Sequence, residues 1–222
     1  MTLNLPPPIV QKTLATKAFH FEDGKVFLWD TPCFMDPIQI QTYYHRLNEH
    51  HTGFEVANRI RYYTAKVQSM TGMKIVNQRF GYAETLREKE QLLQLNTGQA
   101  ELLGLGKFTW VRIDFENELF IGNCISPFAE EFRRFYGAQD HPIDSWLMGC
   151  WAGCIESIIG KKSLCLEVLC IGKGDKECQF VVKPLEKWDA NDDVFKKLQF
   201  LTQEEPDIKE LGGSMDTYTK LR

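Results

Sequence analysis

The amino-acid sequence predicts an α+β fold, an antiparallel sheet with helices packed on one face. Three observations carry the prediction: the N-terminal half is dominated by apolar residues at helical spacing, alternating runs arrive later in hairpin pairs, and a pair of helical segments separates those hairpins. Helices first, then hairpin, helix pair and hairpin, is a layered α+β order. With 222 residues, 43% of them hydrophobic and 25% charged, the chain can bury an ordinary globular core.

Each element has a local reason. In residues 17–30, Asp23-Gly24 is a hairpin-turn pair between β-prone runs. Asp36-Pro37 reads as a cap and first-turn proline, followed by Ile40, Tyr43, Tyr44 and Leu47 at helical spacing up to about His51. A second helix starts at Gly53 with the stripe Phe54, Ala57, Ile60, Tyr63, Val67 and Met70, and Thr71-Gly72 is expected to end it. Residues 74–95 are helical again, until Gly104 and Gly106 break the pattern. Lys107 to Asp114 and Glu118 to Cys124 form a hairpin about Glu116-Asn117. Ser126-Pro127 opens a helix with acidic residues first and Arg133 and Arg134 last, closed by Gly137. Pro142 starts a longer helix with Leu147, Trp151, Cys154, Ile155 and Ile158 on one face, stopped at Gly160. Strands follow at 163–171 and 177–183. Beyond Pro184, Val194, Leu198 and Leu201 mark a short amphipathic stretch, and a solvated tail or a stub joining something else is expected from Gln203.

The net charge of −4 and pI of about 5.8 give no positive field for a phosphate backbone, which argues against direct nucleic-acid binding. The N-terminus lacks the basic start and apolar core of a signal peptide, and no run is long enough to span a bilayer, so a cytoplasmic location is expected. In that setting the crowding of Cys150, Cys154, Cys165, Cys170 and Cys178 suggests metal binding or buried thiols before disulfides. No Gly-x-Ser-x-Gly, His-Glu-x-x-His, dinucleotide fingerprint or Walker motif is present, and no acid–base set stands out, so the sequence points away from an enzyme. His45, His50 and His51 read as cations near the C-terminal end of the first helix.

The most informative segment runs from Glu167 to Cys178. A glycine-containing loop, Gly172-Lys-Gly174, brings two thiols on adjacent strand ends within reach of one ion, and two thiolates with a carboxylate suit zinc. Glu167 precedes Cys170 by three residues, which in a regular strand puts them on opposite faces, so a kink or bulge at the strand end is required to bring both inward. A plain pair of buried cysteines across a hairpin is the competing reading.

The run Gly149-Cys-Trp-Ala-Gly153, Gly160-Lys-Lys162, Cys165-x-Glu167-x-x-Cys170-x-Gly-x-Gly174-x-x-x-Cys178-x-Phe180 resembles the 4-vinyl-reductase domain. Upstream, Gly24-Lys-Val-Phe-Leu-Trp29, the helix from Phe54 and Asn123-Cys-Ile-Ser126-Pro resemble the sensor domains of phenol- and xylene-responsive sigma-54 activators. The resemblance covers residues 18–184 and implies a sensor domain at 17–184 (motif region 124–184), between an N-terminal extension at 1–16 and a C-terminal helix and tail at 185–222. It implies a zinc site at Glu167, Cys170 and Cys178. The fourth position, held by a cysteine after a Pro-Val pair in those sensors, falls on Asp144 after Pro142-Ile143, with Cys150 or Cys154 as substitutes. It implies an enclosed pocket for a small hydrophobic molecule, lined by Trp110, Ile121, Asn123, Met148, Cys154 and Cys165. Leu102 and Asn123 stand where phenol sensors place a His and a Trp, so phenol selectivity is not expected. The β/helical N-terminal segment, with its aromatic-rich Phe19 to Trp29, is expected to form a homodimer. Signalling would then pass through dimerisation or a separate partner. The alternatives are an enzyme or accessory factor acting on a tetrapyrrole vinyl group, and an acyl-binding scaffold of the trafficking type.

Overall fold

The computed structural model describes residues 19–28, 31–33, 36–81, 83–203, 205 and 210. The N-terminal extension, Trp29 and most of the tail beyond Gln203 lie outside the described residues. Strands β1 (Phe19–Glu22) and β2 (Lys25–Leu28) pair antiparallel with Glu22 opposite Lys25. Asp23 and Gly24 both take positive φ, 48° and 74°, as the tight turn of a right-twisting hairpin requires. A third strand not anticipated from sequence, β3 (Thr31–Cys33), pairs with β2.

Helix α1 (Ile38–Thr52) forms where expected but buries the opposite face. Thr42, His45 and Glu49 point inward, while Ile40, Tyr43, Tyr44 and Leu47 are exposed. His45 is therefore a core residue and not a helix-end cation. Helix α2 (Phe54–Phe80) runs straight through Thr71-Gly72, because Gly72 keeps helical φ and an isolated glycine only weakens a helix that packing supports. The break comes at Gly81, and α3 (Leu86–Leu102) starts with a capping box in which Thr85 and Glu88 exchange hydrogen bonds.

The main sheet is antiparallel in the order β4-β5-β7-β6, with β4 (Lys107–Asp114), β5 (Leu119–Ile125), β6 (Ser163–Leu169) and β7 (Cys178–Pro184). Between the two hairpins lie α4 (Pro127–Tyr136), capped by the Ser126 hydroxyl, and α5 (Ser145–Ile159), capped by the Asp144 carboxylate. Helix α5 thus begins three residues after Pro142. It is buried on nearly every side, with Leu147, Met148, Trp151, Ala152, Cys154 and Ile155 between the sheet and α2. The α2–α5 crossing is close because α5 presents glycines: a Cβ at Gly149 would lie 2.1 Å from the Tyr62 carbonyl oxygen, and one at Gly153 2.4 Å from that of Lys66.

The C-terminal segment belongs to this core. Trp188 is buried and donates its indole N–H to the Leu164 carbonyl of edge strand β6, and Leu198, Phe200 and Leu201 around α6 (Asp193–Leu198) are buried with it. Arg59 of α2 bonds Gln203 and Glu205, and most of the expected tail lies outside the described residues. Covering β6 shields an otherwise open sheet edge.

Candidate functional site

Along β6 and β7 the register is Glu167 opposite Phe180, then Leu169 opposite Gln179, with a bulge between Glu167 and Leu169. The inserted residue shifts the alternation by one. Glu167 and Cys170 thereby reach the same side as Cys178, the bulge their spacing demanded. A single 3₁₀ turn at Ile171–Lys173 closes the loop, with Lys173 and Asp175 N–H groups on the Cys170 carbonyl at 2.9 and 3.2 Å. The Asp175 carboxylate in turn accepts the Cys170 N–H at 2.8 Å. Two glycines are sterically required. A Cβ at Gly172 would stand 2.5 Å from the Ile143 side chain, and Gly174 has φ of +116°.

Glu167, Cys170 and Cys178 are each 0% exposed, and their ligand atoms all lie within 4.8 Å of one another. A tetrahedral ion with sulfur at about 2.3 Å holds its two sulfurs roughly 3.8 Å apart, a separation that falls within this range. One Glu167 oxygen, Oε2, accepts the Asp144 N–H at 3.1 Å, while the buried Oε1 has no hydrogen-bond partner among the described residues. The Ile171 N–H points at Cys178 Sγ at 3.4 Å.

The electrostatics are those of acids crowded together. Burial, reinforced by the negative charge of Cys170 and Asp144, pushes the Glu167 carboxyl well above the usual range. Cys170 is lowered to about 7, chiefly because the Cys178 thiol donates to it and backbone N–H groups of Ile143 and Lys173 face it. Cys178, the donor of that bond, is pushed up. Burial also raises Asp144. Buried acids with an orphaned oxygen favour a cation, and the thiol-rich donor set fits zinc.

Asp144 is buried beside this group but outside it. Its Oδ1 accepts the Leu147 N–H at 3.2 Å and its Oδ2 the Ser126 hydroxyl at 2.5 Å. Cys150 and Cys154 sit farther along α5, and burial raises both thiols, Cys150 to about 12.

The residues assigned to the pocket divide between two faces of the sheet. Trp110, Met148, Cys154 and Cys165 lie on the helix-facing side, where Trp151 contacts Phe108 at 4.2 Å and Trp110 at 5.1 Å between ring centroids. Ile121 and Asn123 alternate to the other face, since Phe120, Gly122 and Cys124 take the inward positions of β5. Asn123 is bonded there by Glu177 at 2.6 Å and Gln179 at 2.9 Å. It is therefore not the polar group of the interior. Gly122 makes room for the Phe108 ring, from which a Cβ there would stand only 2.2 Å away. The buried interior donor is Trp151 Nε1, which has no partner among the described residues.

Sequence reasoning missed a second buried polar group. His45 Nε2 lies 3.3 Å from Glu49 Oε1, Asn58 donates to the same oxygen at 3.0 Å, and half-buried Arg61 stacks over Phe128 at 3.9 Å. The four-residue spacing of His45 and Glu49 was visible, but nothing local shows that this face of α1 turns inward.

No family model matches the chain. In sequence it is 25% identical over 136 residues to the phenol regulator MopR of Acinetobacter guillouiae, covering 53% of this chain and 24% of that protein. It is 36% identical over 50 residues to MJ1460 of Methanocaldococcus jannaschii, 22% of this chain and 31% of that one. The chain thus spans less than a third of the length of the curated relatives it matches. In structure it is similar to the phenol-responsive sensory domain of the transcription activator PoxR, with a TM-score of 0.72 at 18% identity over 90% of this chain and 100% of that domain. A vinyl-4-reductase family protein from Methanocaldococcus jannaschii matches with a TM-score of 0.43. This chain has the α+β fold of a phenol-responsive sensory domain and is similar in sequence to part of one phenol regulator.

Proposed function

We propose that the chain is a small-molecule sensor domain in which zinc, held by Glu167, Cys170 and Cys178, ties the end of β6 to the start of β7. The observation that carries the metal is the buried Glu-Cys-Cys group with its unpartnered Glu167 oxygen. When bound, the ion supplies a cross-link between two strand ends and the electrostatic compensation that the crowded acids lack. The surrounding residues shape the site: Gly172 and Gly174 let the loop close, and the Asp144 N–H orients Glu167.

The ligand reading is supported by the likeness to one phenol-responsive sensory domain and to part of one phenol regulator, and by the Phe108, Trp110 and Trp151 aromatic group on the helix-facing side of the sheet. A buried indole N–H favours a ligand that accepts a hydrogen bond, in surroundings otherwise apolar. The ligand is then a small hydrophobic, mostly aromatic molecule bound without phenol selectivity. The exposed stripe Ile40, Tyr43, Tyr44 and Leu47 on α1 supports a homodimer as the route of signalling, since such a stripe is costly to leave in water.

Elemental analysis of the purified chain should give about one zinc per chain, and far less would overturn the metal reading. Calorimetry against phenols, aromatic hydrocarbons and fatty acids tests the ligand, with micromolar binding expected for an aromatic acceptor. Tight, selective phenol binding would count against the absence of phenol selectivity, and binding of fatty acids alone would favour a scaffold. Light scattering should give twice the 25.7 kDa chain mass, and a monomer would refute dimerisation.

A further inference from the structure

We propose that residues 185–203 form a strap whose docking depends on the conformation of the loop between Cys170 and Cys178, with residues 139–144 as the link between them. The inference stands on packing alone and requires neither an ion at Glu167, Cys170 and Cys178 nor a ligand in the interior.

At one end the link is gripped by the loop. The Gln139 N–H donates to the Gly172 carbonyl at 2.9 Å, and the Ile143 side chain lies 2.5 Å from where a Cβ on Gly172 would stand. The Asp144 N–H donates to Glu167, on the strand that leads into the loop, at 3.1 Å. With contacts at its first, fifth and last residues, the link moves with the loop. His141 stands in the middle of it. Its ring packs on Phe54 at the start of α2, 4.2 Å between centroids, and Phe54 meets Phe200 edge-on at 5.6 Å. Loop, link, Phe54 and Phe200 are thus in unbroken contact, and a close-packed interior passes a displacement on because it has little slack to absorb it.

The strap is the element that yields. Helix α6 has six residues and is followed by the 3₁₀ turn Gln199–Thr202, a length at which helix does not persist in water on its own. Its order comes from docking: the Trp188 indole on the Leu164 carbonyl, Phe200 against Phe54, and Arg59 bonded to Gln203. Phe54 and Arg59 both belong to the first two turns of α2, the platform on which His141 rests. A loop that opens draws Gln139 and Ile143 with it, takes His141 off Phe54 and loosens two of the three anchors together. Release of the strap uncovers the Leu164 edge of β6 and so changes the surface the protein presents.

Hydrogen exchange of the full-length chain, read by mass spectrometry, tests the coupling. Gly172→Ala drives a Cβ into Ile143 and displaces the link at its source, whereas His141→Ala cuts it in the middle. Gly172→Ala should speed exchange in 185–203 by about fivefold or more, the low end of typical couplings between sites, and should have only a fraction of that effect once His141 is alanine. Faster exchange confined to 139–144 and 170–178 would overturn the proposal, as would equal effects of Gly172→Ala in the two backgrounds. An equal rise in α3, which is no part of this chain of contacts, would mean general loosening and overturn it as well. If Gly172→Ala fails to fold, the coupling is read from the other side, because it is reciprocal. Phe200→Leu should then speed exchange in 170–178, and an unchanged loop would overturn the proposal.

Discussion

Substituting alanine at two helical glycines separates helix propensity from helix packing in this core. Gly72 in α2 and Gly149 in α5 both sit inside helices with ordinary helical φ, so alanine at either gains up to about 1 kcal/mol of propensity. Their surroundings differ. A Cβ at Gly72 meets nothing within 4 Å, whereas one at Gly149 would stand 2.1 Å from the Tyr62 carbonyl oxygen and 2.9 Å from the Ala65 Cβ. The Tyr62 oxygen belongs to the backbone of α2 and cannot rotate away, so the two helices must part by roughly 1 Å. Overpacking of that kind costs about 1–3 kcal/mol or more, and the loosened α2–α5 contact adds to it. The net expectation for Gly149→Ala is a loss of about 2 kcal/mol, which in a chain of this size lowers Tm by roughly 4–8 °C. Gly72→Ala should raise Tm by about 2–4 °C. Circular dichroism melts and urea titrations of the two variants measure both. A Gly149→Ala protein at least as stable as the parent, or two shifts of the same sign, would refute the packing argument.

The remaining predictions concern buried polar groups and the C-terminal cover. Burial lowers the His45 pKa despite the opposing pull of Glu49, so folding favours the neutral ring; stability present above about pH 6.5 should fall as the pH drops below it and the unfolded state takes the proton. Burial alone would raise Glu49, but hydrogen bonds from His45, Asn58 and Arg46 hold it at about 2, so further stability is lost between about pH 4.5 and 2. Urea midpoints at pH 7.5, 6 and 5 should decline in the parent and decline less in His45→Gln; equal slopes would refute the assignment to His45. Ser126→Ala removes the α4 cap and the partner of Asp144 together, and should cost about 1–3 kcal/mol in urea unfolding, with no measurable change counting against this double role. Trp188→Ala should cost about 3 kcal/mol, and a loss below about 1 would show that the segment after Pro184 is not part of the core.

Several features of this protein follow from residues within a few positions of one another, and these were readable in the sequence. Asp23-Gly24 specifies its turn because both residues tolerate positive φ, Ser126-Pro127 opens α4 by capping, and a glycine loop between Cys170 and Cys178 closes only as a hairpin. Even a kink or bulge after Glu167 was demanded by parity, since a three-residue spacing cannot otherwise put two side chains on one face, and the structure resolves it as a bulge. Other features depended on partners far away in the chain. The exposed Ile40, Tyr43, Tyr44 and Leu47 and the buried His45 and Glu49 invert what hydrophobicity alone suggests for α1, because the second face finds Asn58 and the Phe128 and Phe132 rings. Asn123 lies outside the interior because β5 places Phe120 and Cys124 inward, a parity set by pairing with β7. The commitment of Asp144 to Ser126 and Leu147 emerges only when two helix N-termini meet. Periodicity and capping act along the chain and are written in adjacent residues, whereas the choice of face and partner is an energy difference between whole packings, which only the assembled tertiary structure decides.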